Sequence, residues 1–417
     1  MFRPSDFGAR YSRRTAAAEL MLDLADAMAA PAPVYMLGGG NPARIAEVEA
    51  VYRRRLNEIA ADAVQFGRFA GQYSDPAGDP SFRDAVAGAL ADEFGWRLER
   101  RNVALTAGSQ LGFFFLFNWL SGPAADGSRR RLLLPLAPEY IGYADLGVAD
   151  GMLCSRPALI ERTGDGFFKY RLDTANLRLP DELAAICVSR PTNPSGNVLT
   201  APELERLDAV ARQRDVPLVI DAAYGLPFPG LQFEDSAAFW NENVILCLSL
   251  SKVGLPGTRT GIVVAHESVI EAITAFNATA ALAPAGTAAT IVEPLLRSGE
   301  LARLCRDVVR PHYAGRCRQA IDWLRAACAD LPLVIHRPEG AFFLWLWFPG
   351  LPVTSGELYR RLKQRGVYVL SGHHFFPGLE VEWQHRNECL RINYSQTPES
   401  VARGIAILAE EVRRAYG

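Results

Sequence analysis

From about residue 80 onward, short apolar runs alternate with longer stretches whose apolar positions recur at helical spacing. SFRDAVAGALADEF reads as a helix, NVALT as a strand, and a second helix begins near Gly108. RLLLP, AAICVS, PLVID, NVILCLS and GIVVA read as further strands, with a helix near Glu139 and another over APELERLDAVARQR. Short β-rich runs alternating with helices of about ten or more residues form βαβ units around a mostly parallel sheet. AAICVS and NVILCLS are apolar almost throughout, which fits strands buried on both faces.

The texture differs at the two ends. Up to about residue 60, two helical patterns flank a short strand, VYML, that runs into Gly38-Gly39-Gly40-Asn41-Pro42. Beyond about residue 300, a long amphipathic helix over LARLCRDVVRPHYAGRCRQAIDWLRAACAD is interrupted at Pro311. Strands near LVIH, AFFLWLWF, VYVL and CLRINY follow, and PESVARGIAILAEEVRRAY closes the chain as a helix. The pattern predicts an α/β fold with a large central domain over residues 61–300. A smaller α+β domain over 301–417 follows, to which the segment 1–60 contributes. No internal repeat or low-complexity segment interrupts this.

A chain of 417 residues is too long for one simple core and suits two domains. Lys+Arg 44 against Asp+Glu 46 gives a formal net charge of -2, so nothing points to nucleic acid or an anionic membrane. The seven cysteines (Cys154, Cys187, Cys247, Cys305, Cys317, Cys328 and Cys389) show no CxxC and no metal-ligand spacing. An odd, scattered set suggests reduced thiols and a cytoplasmic protein. MFRPSDFGARYSRR is basic but lacks the apolar core of a signal peptide. LGFFFLFNWL and AFFLWLWF are too short to span a bilayer.

In open α/β sheets, ligands bind beyond the carboxyl ends of the strands, and four such ends carry polar groups here. Asp221 closes PLVID, and Ser249-Leu250-Ser251-Lys252 ends NVILCLS. Thr106-Ala107-Gly108-Ser109-Gln110 joins a strand to a helix, and Ser189-Arg190-Pro191-Thr192-Asn193-Pro194-Ser195-Gly196 follows AAICV. Singly, each has a bland explanation. A lysine after a strand is ordinarily solvated, a terminal aspartate is ordinarily a turn residue, Gly-Ser before a helix is a cap, and Asn-Pro-Ser-Gly is a turn. Together at one sheet edge they form a context that motif recognition requires.

SRPTNPSGNV, VIDAAYG and SLSKVGLPGTRTG, in that order, resemble the signature of fold-type I pyridoxal-5′-phosphate (PLP) aminotransferases of class I/II. QYSDPAGDPSFRDAV and CLRINY resemble two further elements of that family, so the likeness covers roughly residues 34 to 396. GGGNPA, LAPEYIGYAD, AAYGLPFPG and HHFFPGL resemble a narrower group, the valine–pyruvate aminotransferases.

The resemblance implies the PLP-dependent transferase fold, a large domain with a mostly parallel seven-stranded sheet flanked by helices plus the smaller domain. It also implies a role for each residue. Lys252 would link covalently to the cofactor aldehyde and then act as the proton carrier, which requires a partly neutral amine. Asp221 would hold the proton on the pyridine nitrogen. Tyr224 and Asn193 would bond the phenolic oxygen, and Tyr140 would stack on the ring. Gly108, Ser109 and Gln110 at a helix start, with Ser249, Ser251 and Arg259, would hold the phosphate. Tyr73 matches a tyrosine that reaches the neighbouring subunit's phosphate, implying a homodimer with shared sites. Arg391 would take the substrate α-carboxylate, with Gly40 and Asn193 beside it.

Three departures from the family pattern stand out. Ser195 replaces the usual threonine, Ala222 and Ala223 replace larger residues, and Tyr140 stands where some subgroups carry tryptophan. His373 and His374 are expected to be solvated loop residues rather than pocket residues. The expected reaction is transfer of an amino group between a small apolar amino acid and a 2-oxo acid, valine and pyruvate first, in an apolar setting around Tyr35, Phe375 and Phe376. A PLP lyase or synthase on the same fold would use the same lysine, aspartate and arginine, and differs only in its products. A regulator with an aminotransferase-like domain would need an N-terminal DNA-binding pattern, absent from the residues before GGGNP.

Overall fold

The computed structural model describes residues 2–12, 15, 18, 22–23 and 33–417. Apart from the short helix Asp6–Tyr11, the first helical pattern expected before residue 60 falls on residues outside these. The strand β1 (Tyr35–Met36) is followed by β2 (Val103–Thr106), β3 (Gly122–Pro123), β4 (Arg129–Ala137) and β5 (Leu153–Pro157). A hairpin, β6 (Leu159–Gly164) and β7 (Phe167–Arg171), precedes β8 (Leu183–Ser189), β9 (Leu218–Asp221), β10 (Val244–Ser249) and β11 (Gly261–Val264). The C-terminal part adds β12 (Val334–His336), β13 (Phe343–Trp347), β14 (Val367–Tyr368), β15 (Leu370–Ser371) and β16 (Cys389–Asn393).

The large sheet runs β2-β11-β10-β9-β8-β4, with both β5 and the two-residue β3 on the far side of β4. Among the described residues it has eight strands; β3 adds one to the seven expected. β11 runs antiparallel to its two neighbours, β10 and β2, and β3 to β4, while the other pairs are parallel. The central strands are buried on both faces because successive side chains alternate between two packed layers. Leu218, Ile220, Leu246 and Leu248 join one apolar cluster, while Val219, Ile245 and Cys247 join the other. The register pairs Ser189 with Asp221 and Asp221 with Cys247, so the polar strand ends reach a common edge.

The second sheet runs β15-β16-β13-β12-β7-β6, and β1 pairs separately with β14. The hairpin β6–β7, expected within residues 61–300, therefore pairs with C-terminal strands, through Ile335 opposite Phe167. The helix expected near Glu139 is one 3-10 turn, Ile141–Tyr143. Pro138 just before it, and Gly142 and Gly147 within and after it, disfavour propagation. The interruption at Pro311 takes the form of a π-turn over Cys305–Val309, after which the helix Arg310–Ala327 resumes. All seven cysteines are buried free thiols. No helix among the described residues is long and apolar enough to cross a membrane.

Candidate active site

The carboxyl ends of β8, β9 and β10 open on a cavity of about 380 Å³. Gly40, Ser109, Gln110, Tyr140, Asn193, Asp221, Tyr224, Ser249, Ser251, Lys252, Arg259 and Arg391 all line it. These residues come from positions as distant as 40 and 391, yet they share one wall.

Lys252 follows β10 on a 3-10 turn, Ser251–Val253. Its Nζ donates to the Gly40 carbonyl at 2.8 Å and lies 5.5 Å from the Tyr224 ring centroid. Burial, reinforced by the charges of Arg391 and Arg259, lowers the amine to about 8, with Asp221 opposing. A buried amine among cations is released from its proton more easily.

Asp221, the last residue of β9, receives the Tyr143 hydroxyl on Oδ2 at 2.7 Å and the Ala223 N–H on Oδ1 at 2.9 Å. Burial pushes its carboxyl up, while these two bonds and the Lys252 charge pull it down. The small residues after Asp221 thus serve it through backbone: Ala223 caps the carboxylate, and the Ala222 N–H continues the sheet to Cys247 at 2.8 Å.

At the opposite end, the helix Ser109–Leu120 starts from Gly108, whose φ is +86°. A side chain at 108 would run into the Arg259 guanidinium, so glycine meets both the backbone and the space requirement. Leu111 and Gly112 are the first N–H groups to bond back, to the Gly108 carbonyl; those of Ser109 and Gln110 precede the helix's own bonding. The Ser109 hydroxyl is engaged by the Leu248 carbonyl at 3.0 Å. Arg259 adopts φ +48°, a left-handed conformation costing a residue with a side chain about 1–2 kcal/mol. Its Nη1 makes only long bonds, 3.5 Å to Ser251 Oγ and 3.4 Å to the Pro256 carbonyl.

Arg391 sits in the middle of β16 and is 2% exposed. Nη1 donates to Asn193 Oδ1 at 2.7 Å and Nη2 to the Gly38 carbonyl at 2.5 Å. The guanidinium lies 3.9 Å from the Phe343 ring centroid, and Nε has no hydrogen-bond partner. Burial lowers it to about 10, so it stays protonated at neutral pH. Its acceptors are neutral, which leaves a buried positive charge without a counter-charge among the described residues. Such a charge is costly unless an anion joins it.

Several expected residues sit elsewhere. Tyr73 is 85% exposed and outside this cavity. His373 is exposed and bonds Ser371 Oγ at 2.7 Å; His374 is half-buried, and neither lines the cavity. Tyr35 and Phe376 do not line it either. Tyr35 packs on Gly404 of the C-terminal helix, and Phe376 lies between Trp345 and Trp383. Phe375 does reach Arg391, its ring centroid 5.4 Å from the guanidinium.

Phe113, Ile141 and Gly142 line the cavity without having been singled out, and Ser189, Pro191 and Ala223 line it without a role having been expected of them. Two further groups were missed behind it, Tyr143 and Glu139. Glu139 is fully buried, accepts the Ser189 N–H at 2.9 Å and pairs with the Ser189 hydroxyl. Burial pushes its carboxyl up to about 8, against the bonds from Ser189 and Tyr140 that lower it. The i, i+3 spacing of Tyr140 and Tyr143 was the available signal, since it places both rings on one side of a helical turn.

The sequence pattern of the family described as aminotransferase class I and II matches residues 170–408. Valine–pyruvate aminotransferase of Escherichia coli (strain K12) is 45% identical over 415 residues, covering 98% of each chain. The crystal structure of a putative amino-acid aminotransferase from Psychrobacter arcticum 273-4 superimposes with a TM-score of 0.96 at 41% identity, covering 100% of this chain and 99% of that one. That of valine-pyruvate aminotransferase from Salmonella typhimurium LT2 gives 0.88 at 43% identity, covering 96% and 99%.

Proposed function

The chain belongs to the class I and II aminotransferases, and we propose that its cavity holds PLP between Lys252 and Asp221 and serves valine–pyruvate transamination. Members of this family depend on PLP. The observation that carries the site assignment is the convergence of a partly neutral lysine, a buried carboxylate and an uncompensated buried arginine on one cavity.

The donor set fits the cofactor. The helix start at Ser109–Gln110, with Ser249, Ser251 and Arg259, forms an anion cradle for the phosphate. Asp221, oriented by Tyr143 and Ala223, would hold the proton on the pyridine nitrogen. Asn193 and Tyr224 would bond the phenolic oxygen, and Tyr140 would stack on the ring. When bound, the cofactor supplies the aldehyde that takes up the amino group and the ring that accepts the electron pair released at the substrate α-carbon. Lys252 would take the substrate's α-proton as base and give it back as acid. Arg391 holds the α-carboxylate in a bidentate pair, with Asn193 and Gly40 fixing the same end.

Among the described residues, Arg259 and Arg391 are the arginines that line the cavity, and Lys252 is the lysine. With those assigned to phosphate, α-carboxylate and proton transfer, no cation among the described residues of that wall remains for a side-chain carboxylate. This favours small apolar amino acids, in line with the names of the E. coli and Salmonella relatives. With purified protein, valine and alanine should exceed aspartate in kcat/KM by at least about 100-fold; preference for aspartate would overturn the substrate reading. Borohydride reduction followed by peptide mapping should place the label on Lys252.

Arg391→Lys should raise KM for valine about 10- to 100-fold while leaving the visible band of the bound cofactor in place, because a point charge cannot reproduce the two parallel bonds. An unchanged KM would remove Arg391 from substrate binding. The eight-stranded sheet forms the large domain and the six-stranded sheet the small one in this reading, with the 1–60 segment attached through β1. We also read the enzyme as a cytoplasmic homodimer in which the exposed Tyr73 reaches the phosphate of the neighbouring subunit.

A further inference from the structure

One buried ion pair lies outside the machinery assigned above. Lys169 on β7 and Glu339 in the loop after β12 are each 3% exposed and pair directly. Neither lines the cavity, but both hold the turn that carries Asn193. Glu339 Oε2 accepts the Val198 N–H at 2.8 Å. Lys169 Nζ donates to the Val198 carbonyl at 3.1 Å and to Asn197 Oδ1 at 3.1 Å. The Asn197 carbonyl in turn accepts the Thr192 N–H at 2.9 Å, and the Gly196 N–H closes the turn on the Thr192 carbonyl at 2.7 Å. Asn193 lies inside that loop.

The same loop of the small domain also grips the segment behind Tyr224. The Glu339 carbonyl accepts the Phe233 N–H at 2.8 Å, and the Ala341 N–H donates to the Leu231 carbonyl at 2.9 Å. Leu231 N–H then donates to the Tyr224 carbonyl at 2.9 Å. Gly340, between them, is a point of close approach: a Cβ there would collide with the Leu231 carbonyl and the Pro191 ring. Residues 339–341 are therefore wedged between the Asn193 turn and the Tyr224 loop.

A buried ion pair is a poor source of net stability, because desolvation offsets most of its attraction. Its directional bonds, however, fix backbone position. We propose that Lys169 and Glu339 are a positioning clamp that sets, from the small-domain side, the placement of Asn193 and Tyr224 and so the hydrogen bonds they offer the cofactor's phenolic oxygen. Through Asn193 Oδ1 the clamp also aims Arg391. The hairpin β6–β7, which leaves the large sheet's sequence neighbourhood to join the other sheet, delivers Lys169 to this position. The inference rests on the reading that Asn193 and Tyr224 face that oxygen.

The test uses holoenzyme carrying Lys169→Met together with Glu339→Gln, a neutral pair of similar volume. The readouts are the pH midpoint of the cofactor's visible band, KM for L-valine and the melting temperature. Misplaced donors stabilise the phenolate less, so the midpoint should rise by about 0.5–1 pH unit, and KM should rise about threefold to tenfold. Asn197→Ala, which keeps both charges, should shift both readouts in the same direction by less; it carries the test alone if the double variant does not fold. A parental midpoint and parental KM, whatever happens to the melting temperature, overturn the clamp. Tyr224→Phe separates the two claims. If it raises the midpoint while the clamp variants do not, the clamp alone fails; if it leaves the midpoint in place, the cofactor reading fails and the clamp with it.

Discussion

Lys252→Ala should abolish turnover, with kcat reduced at least about 10⁴-fold, in a protein that still folds and still binds PLP. Lys252 lines the cavity rather than the packed core, and its amine makes one hydrogen bond, to Gly40, so losing it leaves no hole in the core. The chemistry loses both its covalent anchor and its proton carrier, and no other lysine lines the cavity to replace it. Lys252→Arg should not rescue, since a guanidinium stays protonated. The measurements are single-turnover rates with valine and borohydride labelling, which should no longer attach the cofactor to the chain. A variant that kept kcat within tenfold of the parent would remove Lys252 from the mechanism.

The amine at about 8 adds a pH signature. Only the neutral amine attacks an aldehyde, and its fraction rises tenfold per pH unit below the midpoint. The rate at which cofactor-free protein takes up PLP should therefore climb about tenfold per unit up to about pH 8 and flatten above it. A rate that kept climbing to pH 10 would mean that burial, Arg391 and Arg259 do not lower this amine.

The strands that build the site were legible because burial on both faces writes them as unbroken apolar runs. β8, β9 and β10 fall within a residue of AAICVS, PLVID and NVILCLS, and their last polar residues marked the cavity. The hairpin β6–β7 was not legible. LIERTG and FFKYR carry charges into a sheet, and the inward Lys169 makes sense only once Glu339, 170 positions away, neutralises it. Likewise the helix Thr287–Arg297 contains Pro294, which reads locally as a breaker. Tyr143 was passed over for a similar reason: its partner Asp221 is 78 residues distant, and only the fold joins them. The motif supplied the cavity wall, whereas the groups that orient that wall from behind depend on long-range packing.

Asp221→Asn should lower kcat by about 10³-fold, about 4 kcal/mol of transition-state stabilisation, with KM for valine changed little. The amide keeps the volume of the side chain and can still accept the Ala223 N–H through its oxygen. Its other end is an NH₂ group, which cannot accept the Tyr143 hydroxyl bond now made to Oδ2 and carries no charge to hold the pyridine proton. The neutral ring then accepts the electron pair from the α-carbon less readily, and the loss falls on proton removal rather than on binding. Tyr143→Phe removes one bond to the carboxylate but leaves its charge, so its cost should be nearer tenfold. The ordering is measurable in single turnovers with α-deuterated valine: the isotope effect should grow in Asp221→Asn as proton removal becomes limiting. An Asp221→Asn enzyme with parental kcat would show that the carboxylate has no part in the electron sink, whatever the cavity's other residues do.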